Sequence, residues 1–236
     1  NSANREILVE FLKNSFLYNQ CFMEILDRLR ELMSENMAKP LELKIVLDEN
    51  GDVANNPDDN GSFNQNLHES MEKTLIYLAL IEPIKTKDLL VSKLLSENQF
   101  TNNTKSLNSK KLCSLCWSTG LISGAMNEQL EGELVLKVIR LLLSMMDLCQ
   151  GKKNREIVFY NLLFVSSQYP SFLHKYHTLI VIIFKKIFVF IKDNSRYVQN
   201  YSCETLLKLS NKCGKDILSK TEDDKEVPFF EFFLNR

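Results

Sequence analysis

"NEQLEGELVLKVIRLLLSMMDLCQGKKNREIVFYNLLFVSSQYP", Asn127 to Pro170, holds one full period of the chain. Its apolar residues recur at helical spacing. A helix from Asn127 to Cys149 stops at Gly151, and a second spans Lys153 to Tyr169. Pro170 suits the first turn of a third helix, expected to continue to Lys192. A fourth covers Ser195 to Lys212, with Gly214 just beyond. The first helices start at Asn127 and Pro170, about 43 residues apart, and their partners at Lys153 and Ser195, about 42 apart. Paired helices at ~40–47 residues are the signature of HEAT or armadillo solenoids. "DNSRYVQNYSCETLLKL" (Asp193–Leu209) adds to this. Asp193 in the turn, then Val198, Cys203, Leu206 and Leu207, resembles the grammar of HEAT second helices.

The expected fold class is therefore all-α: a HEAT-repeat solenoid of antiparallel helix pairs. Residues 1–236 would supply about four to five repeats of a longer arch, because neither end reads as the polar cap a solenoid requires. Working outward, Phe16 to Met37, Phe63 to Ile81, Ile84 to Gln99 and Ser109 to about Ser123 also read as helices. Phe100 to Asn108 is a polar loop, and "EVPFFEFFLNR" at the end opens a further helix. One segment departs from helical periodicity: "LELKIVLDENGDVANNPDDNG", Leu41 to Gly61. Leu43, Ile45 and Leu47 alternate with polar residues. Asn50-Gly51 is a strong type I′ turn signal, and Val53 begins a weak return strand. The segment reads as a small acidic β-hairpin, 41–61, inserted between two helices.

Bulk composition agrees. Apolar residues make up 44%, while glycine (7) and proline (5) are scarce, which disfavours a turn-rich all-β domain. Lys plus Arg number 29 against 30 Asp plus Glu. That balance argues against a dedicated nucleic-acid or membrane-surface binder. The most apolar run, Leu179 to Ile191, is split by Lys185 and Lys186. It falls well short of the ~20 apolar residues of a bilayer span. No signal peptide is visible, and the six cysteines read as reduced thiols of an intracellular protein.

Chemistry-bearing motifs are weak. Cys113-x-x-Cys116 lies in a helical stretch with no second pair and no βαβ context, so buried core thiols are the better reading. His174 and His177 share a helix face, with His68 distant in sequence, and a zinc site would need further ligands. Cys149 stands near Lys152, Lys153 and Arg155, neighbours of the kind that activate a thiol. No P-loop, G-x-S-x-G or paired-carboxylate motif appears. Asp58-Asp59 and Asp223-Asp224 read as solvated charge. An enzyme is not expected, and neither a cofactor nor a metal is called for.

What remains is surplus hydrophobicity. The 127–149 helix is densely apolar, and the 170–192 helix carries two stripes. One is Leu173, Tyr176, Ile180, Phe184, Ile187 and Ile191. The other is Phe172, Leu179, Ile183 and Phe190, with Ile182 and Lys186 beside it. One stripe suffices to seat a helix on its partner. The second either packs on adjacent repeats, as in a HEAT scaffold without a peptide site, or lines a groove for an amphipathic peptide. In the latter case Lys152, Lys153, Arg155 and Lys186 form a rim that prefers acidic peptides.

Several segments resemble one family. "RELMSENMAKP" (Arg30–Pro40), "LCWSTGLISGAM" (Leu115–Met126), "VIRLLL" (Val138–Leu143), "QYPSFL" (Gln168–Leu173) and "VQNYSCETLLKLSNKC" (Val198–Cys213) are similar, in order, to the chromosome-region-maintenance type of nuclear exportins, in the importin-β superfamily. "LCWSTGLISGAM" stands beside that family's "LCWAIGSISGAM". The resemblance implies an arch of HEAT repeats that carries cargo with leucine-rich nuclear export signals, together with GTP-bound Ran. It implies shuttling between nucleus and cytoplasm, with nucleoporins and Ran-binding proteins as further partners.

By the same resemblance an export-signal groove falls within 127–192. It takes Ile139, Leu143 and Met146 from one helix and Phe159 and Leu163 from the return helix. Phe172, Leu179, Ile182, Ile183, Lys186 and Phe190 come from the next. Lys152 and Arg155 form its rim. The hairpin, with Lys44, Asp48, Glu49, Asn50, Gly51 and Asp52, corresponds to a loop that contacts Ran and couples it to the groove. Two positions depart from the family. Met146 stands where many members have a reactive cysteine that export inhibitors alkylate, and Phe159 where alanine is usual. The first implies resistance to thiol-directed inhibitors, with Cys149 the nearest remaining thiol. The second implies a narrowed groove.

Overall fold

The computed structural model describes residues 20–39, 46–47, 53–54, 61–102, 107–192 and 196–219. Among these residues nine helices occur in chain order. They are α1 (Gln20–Glu35), α2 (Gly61–Ile81), α3 (Pro83–Asn102), α4 (Ser109–Leu121), α5 (Glu128–Leu148), α6 (Lys152–Gln168), α7 (Pro170–Leu173), α8 (His177–Ile191) and α9 (Arg196–Ser219). The dominance of helices and their paired succession agree with a HEAT solenoid. The chain divides into two compact units after Val165. The 127–192 segment draws on both.

In the first unit α1 packs on α2 and α4, and α3 packs on α2, α4 and α5. Leu26 and Leu78 form a small core with Met23, Leu29, Met33 and Ile81 around it. The local chemistry accounts for the helix ends. Pro83 opens α3, where its missing N–H costs nothing. Asn108 and Asn127 cap α4 and α5, accepting from Lys111 N at 3.1 Å and Leu130 N at 2.9 Å. Glu128 and Glu131 in the first turn of α5 suit the helix dipole. Past α5, Gly151 takes φ 89°, a left-handed conformation that glycine adopts without penalty. The α5 core face is Leu134, Val135, Val138, Ile139, Leu142, Met145 and Met146, all buried.

The β structure described is a minimal antiparallel ladder, Val46 opposite Ala54 and Leu47 opposite Val53. The rest of the expected hairpin, including Lys44, Asp48, Glu49, Asn50, Gly51 and Asp52, lies outside the described residues, as does the C-terminal helix expected at "EVPFFEFFLNR".

In the second unit α9 packs on both α7 and α8. Two boundaries differ from expectation. The helix expected over 170–192 is broken. After Leu173 the backbone tightens into i→i+3 turns, Lys175 N to Phe172 O and Tyr176 N to Leu173 O. Tyr176 then leaves helical geometry at φ −120°, ψ 72°. Tyr176 therefore falls off the stripe it was assigned to and stacks on Phe172, ring centroids 4.7 Å apart. Leu173, Ile180, Phe184 and Ile187 hold the stripe and are buried. Conversely, α9 runs through Gly214 to Ser219. A single helical glycine costs ~1 kcal/mol and does not by itself end a helix.

Candidate functional site

The sulfur and histidine candidates resolve first. Cys113 and Cys116 are both buried on α4. Burial pushes the Cys113 thiol up to about 11, although a hydrogen bond from Asn161 works against it. Burial pushes Cys116 well above the ordinary thiol value. Asn161 Nδ2 donates to Cys113 Sγ at 3.3 Å. Cys149 ends α5 and is also buried, and its pKa is raised by burial despite the nearby Arg155. The cation is outweighed, so the thiol is not activated. His68 is buried and lies 3.0 Å through Nδ1 from the carbonyl of Ala38. That nitrogen is therefore the protonated one. His174 is exposed, and the side chain of His177 lies outside the description. No helix among the described residues is long and apolar enough to cross a membrane.

The expected groove positions divide by unit. In the first unit Ile139 and Met146 on α5 are buried and Leu143 is half-buried. Phe159 and Leu163 on α6 are fully buried. Lys152 and Arg155, in the first turn of α6, are exposed, and Lys152 lies 3.8 Å from Glu156. In the second unit Phe172 and Lys186 are half-buried, and Leu179, Ile183 and Phe190 are buried. Ile182, at 38% exposure, is the most open of the apolar positions.

A feature not anticipated lies between α1 and α3. Arg30, 2% exposed, sits on the apolar stripe of α1 one turn after Leu26. It donates to Thr86 Oγ1 at 3.0 Å and Glu82 at 3.1 Å, and it pairs with Asp27. Lys85 closes the ring, 3.2 Å from Asp27 and 3.0 Å from Glu82. Lys93 then bridges Glu31 at 2.5 Å and Glu35 at 2.8 Å, and Lys111 bridges Glu35 at 3.4 Å and Glu97 at 3.3 Å. Hydrogen bonds from Lys93 hold both the Glu31 and Glu35 carboxyls below the ordinary carboxylate value. The sequence signal for this lattice was a cation on an apolar stripe.

The end of α1 is also pinned. Ser118 Oγ donates to Ser34 O at 3.2 Å, and Ser114 Oγ to Met37 O at 3.3 Å. With His68 on Ala38, side chains from α2 and α4 hold the backbone from which the 41–61 insert departs.

Comparison with known proteins gives concordant results. The family model CRM1/Exportin repeat 2 matches residues 18–86, and CRM1/Exportin repeat 3 matches residues 103–153. The chain is 30% identical to Exportin-1 of Dictyostelium discoideum over 92% of its length. It is 32% identical to Exportin-1 of Schizosaccharomyces pombe over 95%. It is 34% identical to Protein EXPORTIN 1A of Arabidopsis thaliana over 91%. The chain spans 20% of the first two relatives and 19% of the third.

Proposed function

Since the chain belongs to the CRM1/exportin repeat family, we propose that it is the central repeat segment of a nuclear export receptor. Its part is to take leucine-rich export signals on apolar side chains of α5, α6, α7 and α8. The observation that carries this is the colinear similarity to exportins over nine-tenths of the chain. Ile139, Leu143, Met146, Phe159 and Leu163 form one set of anchoring positions. Phe172, Leu179, Ile182, Ile183 and Phe190 form the other. Lys152, Arg155 and Lys186 attract acidic residues flanking the signal. Each anchor of an amphipathic signal would contribute ~1.5–3 kcal/mol before ordering costs. In the whole protein, GTP-bound Ran acts through the 41–61 insert, and its binding free energy is coupled to that of cargo. The receptor then shuttles between nucleus and cytoplasm, with nucleoporins and Ran-binding proteins as further partners. No catalytic step is involved.

The test is a titration of a fluorescently labelled leucine-rich peptide into this chain, its Leu143→Asp variant and its Lys186→Glu variant. Weaker binding by both variants is expected. Equal affinity across the three would sink the groove assignment. A second reading, a HEAT scaffold whose stripes only pack on neighbouring helices, draws on one observation. Ile139, Met146, Phe159, Leu163, Ile183 and Phe190 are buried. A signal must displace whatever covers them. Phe159, where the family usually has alanine, adds to that cost. Displacement predicts slow, temperature-sensitive association, whereas a pure scaffold shows none.

A further inference from the structure

The break between α7 and α8 has no residue that imposes it. Sharp kinks usually fall at proline or glycine, and residues 171–192 contain neither. Tyr176 occupies the N-cap of α8 but makes no side-chain cap, and tyrosine is not a residue type favoured there. The first amides of α8 have no acceptor in their own helix. What holds the break is contact. α7 packs on α9, Leu173 is fully buried, and Cys213 Sγ donates to Pro170 O at 3.5 Å. Lys175 N and Tyr176 N turn back to Phe172 O and Leu173 O at 3.1 and 2.8 Å, and the Phe172 and Tyr176 rings lie against each other.

The break also splits an apolar line. In an unbroken helix from Pro170 to Ile191, Phe172, Leu179, Ile183 and Phe190 would fall within about 40° of one another, with Tyr176 about 20° beyond Ile183. The ψ of 72° at Tyr176 is far from the helical value, so this angular register is not carried from α8 into α7. Leu179, Ile183 and Phe190 keep the line on α8, while Phe172 and Tyr176 pair with each other.

We propose that the 174–176 break is a two-state joint that sets how many anchors the signal site offers, with Tyr176 as its specificity-determining position. This rests on the export-receptor reading above. Broken, the segment presents Leu179, Ile183 and Phe190 in line. Straightened, it adds Phe172 and Tyr176 to the same line. A long amphipathic signal binds the straight form better and shifts the population toward it, whereas a short one gains nothing from the change.

The experiment locks the joint. His177→Pro places proline at the first position of α8, where the broken form accepts it and an unbroken helix does not. Kd is measured for a labelled leucine-rich peptide and for versions truncated by one and two anchors from either end, with the wild type and with the variant. In the wild type, truncation from one end is expected to weaken binding about tenfold or more. The locked variant should bind the full peptide only as well as the wild type binds that truncated one. Its Kd for the truncated peptide should be unchanged, which also shows that it is folded. Equal affinity of wild type and variant for the full peptide overturns the joint and leaves the groove standing. If His177→Pro does not fold, Tyr176→Asp caps α8 in the broken form and takes its place. Should the wild type bind no peptide, the export-signal reading fails, and amide exchange at His177 and Thr178 judges the joint alone. In the straight form those amides bond to Leu173 O and His174 O. Tyr176→Ala removes the stacked ring and favours the helix, and should slow their exchange about threefold or more. Unchanged exchange overturns the joint.

Discussion

The α1–α3 seam and the α7–α8 segment handle positive charge in opposite ways. At the seam, Arg30, Lys85 and Lys93 are each bridged to two carboxylates across or along the helices. From Pro170 to Lys192 there is no aspartate or glutamate at all, yet Lys175, Lys185, Lys186 and Lys192 lie there. Their charge can be answered only from outside the segment. The seam spends its cations on holding two helices in register. The α7–α8 segment instead places four lysines beside apolar side chains with no acidic residue of its own.

If the seam is structural, breaking it should cost the most. Arg30→Met leaves Glu82 half-enclosed without its guanidinium and frees Thr86. A loss of about 3–5 kcal/mol is expected from urea denaturation, as for a broken buried pair. A loss under about 1 kcal/mol would place Arg30 with exposed, inconsequential ion pairs. Phe159→Ala probes the other region. A fully buried ring is removed, which should cost about 3 kcal/mol of stability. The same change should tighten peptide binding, because alanine clears space for an apolar anchor. Lower stability with unchanged affinity would make Phe159 a core residue only.

The rest of the seam should show in pH dependence with a smaller amplitude. Glu31 and Glu35 are held below their ordinary value of 4.5, chiefly by Lys93. A carboxyl depressed in the folded state contributes stability that is present above its ordinary value and lost as pH falls through its folded value. Lys93 is raised above 10.5, chiefly by Glu31, so its share is present below 10.5 and lost as pH rises through its folded value. Lys93→Met should therefore lower the neutral plateau and flatten the acid limb below pH 4.5, with little change where both carboxyls are already protonated. An acid limb that keeps its slope would mean that these carboxyls owe their shift to something else.

Much of the build was readable because solenoid repeats are local. Helix pairs at HEAT spacing follow from apolar periodicity, and α4 and α5 end where their Asn caps and Gly residues place them. The seam was not readable, since Arg30 meets Glu82 and Thr86 more than fifty positions away. The break after Leu173 was hidden inside an unbroken apolar run, where side-chain pattern carries no sign of a backbone turn. On α6, Asn161, Ser166 and Ser167 are of polar types that mostly face solvent, yet all are buried. Polarity shows what a residue costs to bury, and burial itself is decided by neighbours distant in sequence. Of the positions proposed for signal binding, Phe172, Leu179, Ile183 and Phe190 also stood out as a stripe, whereas Phe159 and Leu163 came only from the family resemblance. The enclosure of these positions was not legible.

The smallest effect separates charge from burial at a single atom. Cys149 has cations on the following turn and would be the fast thiol if they governed it. Burial raises its pKa more than Arg155 lowers it. Cys203, on the solvent side of α9, is exposed. Brief treatment with iodoacetamide near neutral pH should therefore modify Cys203 before Cys149, Cys113 and Cys116 in the folded protein. Peptide mapping reads the order. Met146, which by the family resemblance stands where many members have a reactive cysteine, offers no thiol, so a thiol-directed export inhibitor should give the same order. If Cys149 were modified ahead of Cys203, its cations would be acting on sulfur. The positive field of the α6 first turn would then reach the α5 end, and Lys152 and Arg155 would count as a thiol environment before they count as a rim for acidic signals.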